Sequence, residues 1–103
     1  MHLLLVYDIV NDRQRTKVAT ACLDYGLDRI QYSAFIGSLS RTNQEELMLR
    51  IKDIIGDGAA CVHLYPIDEK AWQKRLLLEK HMDRVLNFQE REDDDDVPRS
   101  ADE

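Results

Sequence analysis

LLLVYDIVNDRQRTKV, residues 3–18, decides how the rest of the chain is read. Leu3 to Tyr7 and Ile9 form an apolar run broken by a single carboxylate, Asp8. Such a run reads as a buried strand, where a carboxylate is costly unless a hydrogen bond, a counter-charge or a cation compensates it. Leu3, Leu5, Tyr7 and Ile9 occupy one alternating set; Leu4, Val6 and Asp8 occupy the other. A strand that is apolar on both faces needs cover on both faces. The basic stretch that follows reads as a helix. Asn11 can cap it, with Gln14 at capping-box spacing, and Val18, Cys22 and Tyr25 fall on one face before Gly26 ends it.

LDRIQYSAFIGSL, residues 27–39, alternates and is rich in β-formers, which fits either one bent strand or a tight hairpin near Tyr32–Ser33. Thr42 and Asn43 each precede a Glu by three residues and offer two capping boxes for a second helix. Leu47, Met48, Ile51, Ile54 and Ile55 give that helix its apolar face, and Gly56 closes it. Ala60 to Tyr65 reads as a strand stopped by Pro66. With a hairpin in the middle, the order is βαββαβ, a ferredoxin-like α+β sandwich.

Two helices cover one face of such a sheet. The simplest cover for the other is a second copy of the same sheet, so a sheet-to-sheet homodimer is expected. If Asp8 lies on the bare face, a two-fold brings two carboxylates together. That pair, with retained waters, suits Mg²⁺ better than one carboxylate does. Beyond Pro66 the pattern is ambiguous: Trp72, Leu76, Met82, Val85 and Leu86 make a loose helical stripe, whereas RLLLE (75–79) could be a short strand.

Lys+Arg and Asp+Glu balance at 12 each over residues 1–88, whereas residues 89–103 hold 2 against 8. The formal charge of −6 therefore belongs to an acidic tail too polar to fold, and the expected division is one domain over 1–88 and a disordered tail over 89–103. The low pI does not exclude a nucleic-acid partner for the domain. No apolar run reaches the roughly 18 residues of a membrane span, and no cleavable leader opens the chain, so a cytoplasmic protein is expected. Cys22 and Cys61 lack the spacing of a disulfide framework or metal knuckle, and His2, His63 and His81 lack ligand spacing; all five read as structural.

VYDIVNDRQRTKV followed by YGLDRIQYSAFIGSL resembles the two most characteristic segments of the small CRISPR-associated adaptation proteins, the partner of the CRISPR integrase in spacer acquisition. The likeness covers about residues 2–80 and lies in the strand-ending Tyr7–Asp8 pair and in Arg29 to Gly37. It implies a ferredoxin-like homodimer with an extra C-terminal strand, here RLLLE, pairing with the other protomer's sheet. It also implies Asp8 as Mg²⁺ ligand, one from each protomer, and functional positions at Arg15, Lys17, Arg29 and Phe35. Family members are described as Mg²⁺-dependent endonucleases on single-stranded RNA or double-stranded DNA. The alternative is a non-catalytic scaffold that holds prespacer DNA and the integrase. Ile36 stands where the family often has Glu, and Glu79 where a Gly often follows the last strand.

The candidate site is thus Asp8 as metal ligand and Tyr7 beside it as catalytic or substrate-orienting. Arg13, Arg15, Lys17, Arg29, Ser33 and Phe35 are the nucleic-acid contacts. Cationic contacts of this kind hold phosphates without reading sequence. Plainer readings stand beside these. Asp8 could simply cap the strand's exit, the cations could be a solvated helix face, Tyr7 and Phe35 could be core, and Ser33 could serve only the turn.

Overall fold

The computed structural model describes residues 1–80. β1 (His2–Ile9) is followed by α1 (Asp12–Asp24), β2 (Asp28–Gln31), β3 (Ala34–Ser38), α2 (Arg41–Ile55), β4 (Ala60–Ile67) and a short α3 (Glu69–Gln73). The sheet order is β2-β3-β1-β4, with every neighbouring pair antiparallel, the ferredoxin-like arrangement expected. The acidic tail, His81 and the segment from 81 to 88 lie outside the described residues.

Each helix begins where a side chain can take its orphan N–H groups. Asn11 Oδ1 accepts from the Gln14 N–H at 2.9 Å. The Gln14 side chain leaves the capping box and donates instead to the Ile55 carbonyl, tying the start of α1 to the end of α2. α1 ends in a Schellman motif: Gly26, at φ +84°, donates to the Leu23 carbonyl and Leu27 to that of Cys22. The cap of α2 is Ser40, whose Oγ accepts from the Asn43 N–H, so neither Thr42 nor Asn43 starts the helix as the spacing suggested.

The middle segment is a hairpin turning at Tyr32–Ser33, which resolves the ambiguity left by its alternation. Pro66 does not end β4. It pairs with Leu3 on a strand bordered by β1 alone, and an edge strand tolerates a missing N–H.

Leu3, Leu5, Tyr7 and Ile9 of β1 and Phe35 of β3 are buried together with Val18, Ala19, Ala21 and Cys22 of α1 and Leu47 and Ile51 of α2. Both long helices therefore cover one face of the sheet. Gly37 sits on that face opposite Leu3, where an added Cβ would meet Leu27 Cδ2 at 2.6 Å and Leu27 Cα at 3.3 Å. The close approach of the β2 entry to β3 is what requires glycine there.

On the other face neither long helix packs; among the described residues α3 touches it only at its corner, through Trp72 on His2, and Asp8 stays exposed. Residues 75–80 form neither helix nor strand within the chain, so the extra strand expected at RLLLE is not a fifth strand of this sheet. Leu76, Leu77 and Leu78 are 98%, 72% and 89% exposed, a dense apolar run with nothing packed on it among the described residues. The segment before it is anchored by α3: Trp72 stacks on His2 with centroids 4.3 Å apart, Glu69 pairs with His2 at 3.0 Å, and the Arg75 guanidinium lies 4.0 Å over the Trp72 ring. Among the described residues no helix is long and apolar enough to cross a membrane.

Candidate metal position and nucleic-acid interface

The alternation of β1 separates Tyr7 from Asp8. Asp8 is exposed, on the uncovered face, at the exit of a row in which Leu4 and Val6 are half-buried. Their cross-strand neighbours are Ile36 and Ala34 on β3 and Tyr65 and His63 on β4, and Cys61 stands directly opposite Asp8. The face is thus an apolar strip flanked by polar groups, with the carboxylate at its rim. The question raised by a charge in an apolar strand has a simple local answer: the position is solvated, so burial imposes no penalty on the single chain. No three His, Cys, Asp or Glu side chains converge as they stand among the described residues, so Asp8 has no preformed cage around it.

Tyr7 points the other way, into the helix-covered core. Its ring stacks at 6.2 Å on Phe35, and its hydroxyl is buried without a well-formed hydrogen bond. Burial pushes that hydroxyl up to about 12, against the opposing pull of the Arg29 guanidinium. At neutral pH it stays protonated and is no general base.

Around the edge of this core a cation–aromatic cluster gathers. Arg29 lies 5.4 Å over the Phe35 ring and 5.1 Å over Tyr32, and donates from Nε and Nη2 to the Tyr32 carbonyl at 3.1 and 2.7 Å. Arg15 reaches the same Tyr32 ring at 6.0 Å, donates from Nη1 to the Ile9 carbonyl at 2.7 Å, and pairs through Nη2 with Asp12. These two arginines brace the β2–β3 turn and the exit of β1 while keeping a cationic surface there. Arg13 and Lys17 project from α1 as exposed side chains. Ser33 is half-buried in the turn, and its carbonyl accepts the Tyr7 N–H at 3.1 Å.

Tyr7, Arg15, Arg29 and Phe35 therefore come together at one end of the sheet. Asp8 shares that end but faces the opposite side. Tyr32 was not singled out by the sequence reading, although its ring lies beneath both arginines. Its only sequence signal is an aromatic residue at a hairpin turn, where solvent exposure leaves it available for cation stacking.

Residues 1–75 match the family described as CRISPR associated protein Cas2. The chain is 52% identical over 83 residues to "CRISPR-associated endoribonuclease Cas2 2" of Chloroflexus aurantiacus, a match covering 81% of this chain and 98% of that protein. It is 34% identical over 70 residues to a "CRISPR-associated endonuclease Cas1/endonuclease Cas2 fusion" of Thermoproteus tenax, covering 68% of this chain and 26% of the fusion. Among solved structures, Streptococcus pyogenes Cas2 at pH 6.5 superposes with a TM-score of 0.65 at 27% identity, covering 78% of this chain and all of that one. The βαββαβ sheet and the two sequence segments agree with this match over the same residues: the chain belongs to the Cas2 family of CRISPR-associated adaptation proteins.

Proposed function

We propose that the chain acts in CRISPR spacer acquisition as a two-fold dimer with metal-dependent endonuclease activity, cleaving phosphodiester bonds of single-stranded RNA or double-stranded DNA. The observation that carries the reading is the position of Asp8, exposed at the rim of an otherwise apolar, uncovered sheet face. A second copy packed on that face would bury Leu4, Val6 and Ile36 and set two Asp8 carboxylates near the two-fold. The exposed Leu76–Leu78 run supports the same assembly, because a strand added to a neighbour's sheet would cover it.

Two carboxylates with several waters satisfy what Mg²⁺ accepts, and Asp8 makes no hydrogen bond or ion pair with other described residues that a cation would have to displace. The chemistry Mg²⁺ supplies when bound is charge against phosphoryl oxygens and a more acidic water. The chain's own residues do the rest. Asp8 holds the cation, Arg13 and Lys17 take phosphates, and Arg15 and Arg29 fix the exposed Tyr32 ring, beside which a base or sugar can lie, with buried Phe35 beneath Arg29. Tyr7, protonated and buried, supports Phe35 and Arg29 from beneath. None of these contacts selects a base, which suits a protein that must accept any foreign sequence.

A scaffold role is the second reading, in which the same dimer holds prespacer DNA and binds the CRISPR integrase. The Thermoproteus tenax relative, whose name joins Cas1 and Cas2 in one chain, favours such a partner. The two roles are compatible in one dimer.

The deciding experiment measures cleavage of single-stranded RNA and double-stranded DNA with Mg²⁺ and with EDTA, for wild type and Asp8→Asn, both checked by light scattering. Mg²⁺-dependent cleavage that falls at least about 100-fold in Asp8→Asn is the expected result. Cleavage absent from wild type, or surviving in the variant, would leave the scaffold.

A further inference from the structure

The uncovered face of β4 presents Cys61, His63 and Tyr65 at alternate positions, on the same side as Asp8. Cys61 is exposed and free. Nε2 of His63 lies 3.2 Å from its Sγ, and Nδ1 of the same ring lies 3.0 Å from the Tyr65 hydroxyl, the two rings being stacked with centroids 5.6 Å apart. Across the β1–β4 ladder, Cys61 is the direct register partner of Asp8 and His63 that of Val6. A thiol, an imidazole and a carboxylate thus occupy adjacent positions of one solvent-exposed sheet face.

We propose that Cys61 Sγ, His63 Nε2 and the Asp8 carboxylate form a site for a borderline-soft divalent cation, with Zn²⁺ as the best fit. Bond lengths of about 2.3 Å to sulfur and about 2.05 Å to nitrogen, at a tetrahedral angle, place the two donors about 3.5 Å apart. The observed S···N distance of 3.2 Å needs only a few tenths of an ångström of adjustment. Tyr65 supplies the partner that an imidazole ligand requires on its other nitrogen: when Nδ1–H donates to the hydroxyl, the lone pair of Nε2 faces Cys61. Directly opposed residues of an antiparallel pair have Cβ atoms about 4.5–5.5 Å apart, so a change of rotamer brings an Asp8 oxygen to a cation held by Cys61. The three side chains do not converge of themselves, so the cation draws Asp8 in, and water completes the tetrahedron.

As the S–Zn bond forms, the thiol gives its proton to solvent and nothing is oxidised. The donor set differs from what Mg²⁺ demands, which is oxygen throughout. Zn²⁺ at this site would occupy Asp8 and so exclude a hard cation from it. The site itself stands on β4 and its register with β1, whether or not the chain is a nuclease.

The test uses the whole reduced, tag-free protein without nucleic acid, titrated calorimetrically with Zn²⁺ and spectroscopically with Co²⁺. One Zn²⁺ per chain and a thiolate-to-Co²⁺ band in the near ultraviolet are expected. Cys61→Ser should abolish the band and weaken Zn²⁺ binding at least tenfold, His63→Ala should weaken it at least tenfold, and Asp8→Asn should weaken it by about tenfold while keeping the band. All three side chains are exposed in the single chain, and circular dichroism with light scattering checks that each variant keeps its fold and oligomeric state. A wild type without the band, or Cys61→Ser binding within twofold of wild type, overturns the site. Unchanged affinity in Asp8→Asn overturns the three-ligand form. Because no cleavage is read, failure here and failure of the nuclease reading are separate results.

Discussion

Raising the pH from 8 to 10.5 should cost this domain about 3 kcal/mol of stability through two groups, Cys22 and Tyr7. Burial pushes the Cys22 thiol from 9.0 up to about 12, with Arg29 and Arg50 pulling the other way, and it pushes the Tyr7 hydroxyl from 10.0 up to about 12. In the unfolded chain each group releases its proton near its ordinary value, whereas the folded chain retains both until about pH 12. The unfolded state then binds fewer protons, so the contribution is intact below about pH 9 and falls as pH rises toward 12. Integrated from pH 8 to 10.5, Cys22 contributes about 2 kcal/mol and Tyr7 somewhat under about 1. For a domain of this size that is a fall in Tm of more than about 10 °C. The assay is urea unfolding at half-unit pH steps, comparing wild type with Cys22→Ala/Tyr7→Phe. The slopes are compared and not the absolute values, because the double variant also loses packing. A steep wild-type decline that flattens in the variant is expected. An equally steep decline in both would refute the claim that Tyr7 and Cys22 share a dry core, and with it the assignment of Tyr7 to the opposite side from Asp8.

Two further outcomes bear on the proposed assembly and interface. Val6→Asp, placed in the centre of the uncovered apolar row, should weaken self-association at least tenfold by light scattering while leaving the monomer's circular dichroism unchanged; a dimer of undiminished affinity would mean that this face is not the contact. Replacing exposed Arg13 and Lys17 by Gln should weaken nucleic-acid binding about equally for unrelated sequences. It should also lower the salt dependence by about 0.7–0.9 for each phosphate that is no longer neutralised, read by fluorescence anisotropy across salt concentrations, whereas an unchanged slope would remove both residues from the interface.

Much of the architecture follows from local rules that act within a few residues. Asn11 is followed by a helical stripe containing Val18 and Cys22, and Gly26 supplies the positive φ of a Schellman ending, so α1 could be bounded without any tertiary information. The strand character of Leu3 to Ile9 follows from its apolar run, and the apolar face of α2 from helical period. The two segments carrying Tyr7–Asp8 and Arg29–Gly37 were enough to indicate the family. Local rules failed where several capping candidates stood side by side, or where sheet order decided the outcome. Ser40 caps α2 in place of Thr42 or Asn43, and buried Gln44 donates to the Leu39 carbonyl to fix that start. Pro66 stays in β4 because only one side of that strand is paired, a fact of sheet order and not of sequence.

The site shows the same division. Alternation in β1 required Tyr7 and Asp8 to face opposite ways, but parity is relative. Which set met the helices was decided by long-range packing of Leu3, Leu5, Tyr7 and Ile9 against α1 and α2, and this left Asp8 in solvent. Tyr32 became the platform for Arg15 and Arg29 only when the hairpin brought residues from α1 and β2 to one edge. Cys61 and His63 lack a metal-binding spacing in the linear chain, and only β1–β4 pairing, across more than fifty residues, sets Cys61 opposite Asp8 and His63 opposite Val6. The sequence by itself determined the elements, their order and the family, because capping, periodicity and turn chemistry are encoded within a turn or two of chain. The tertiary structure alone decided which face is bare and which side chains share it, because that depends on packing between residues far apart in the sequence.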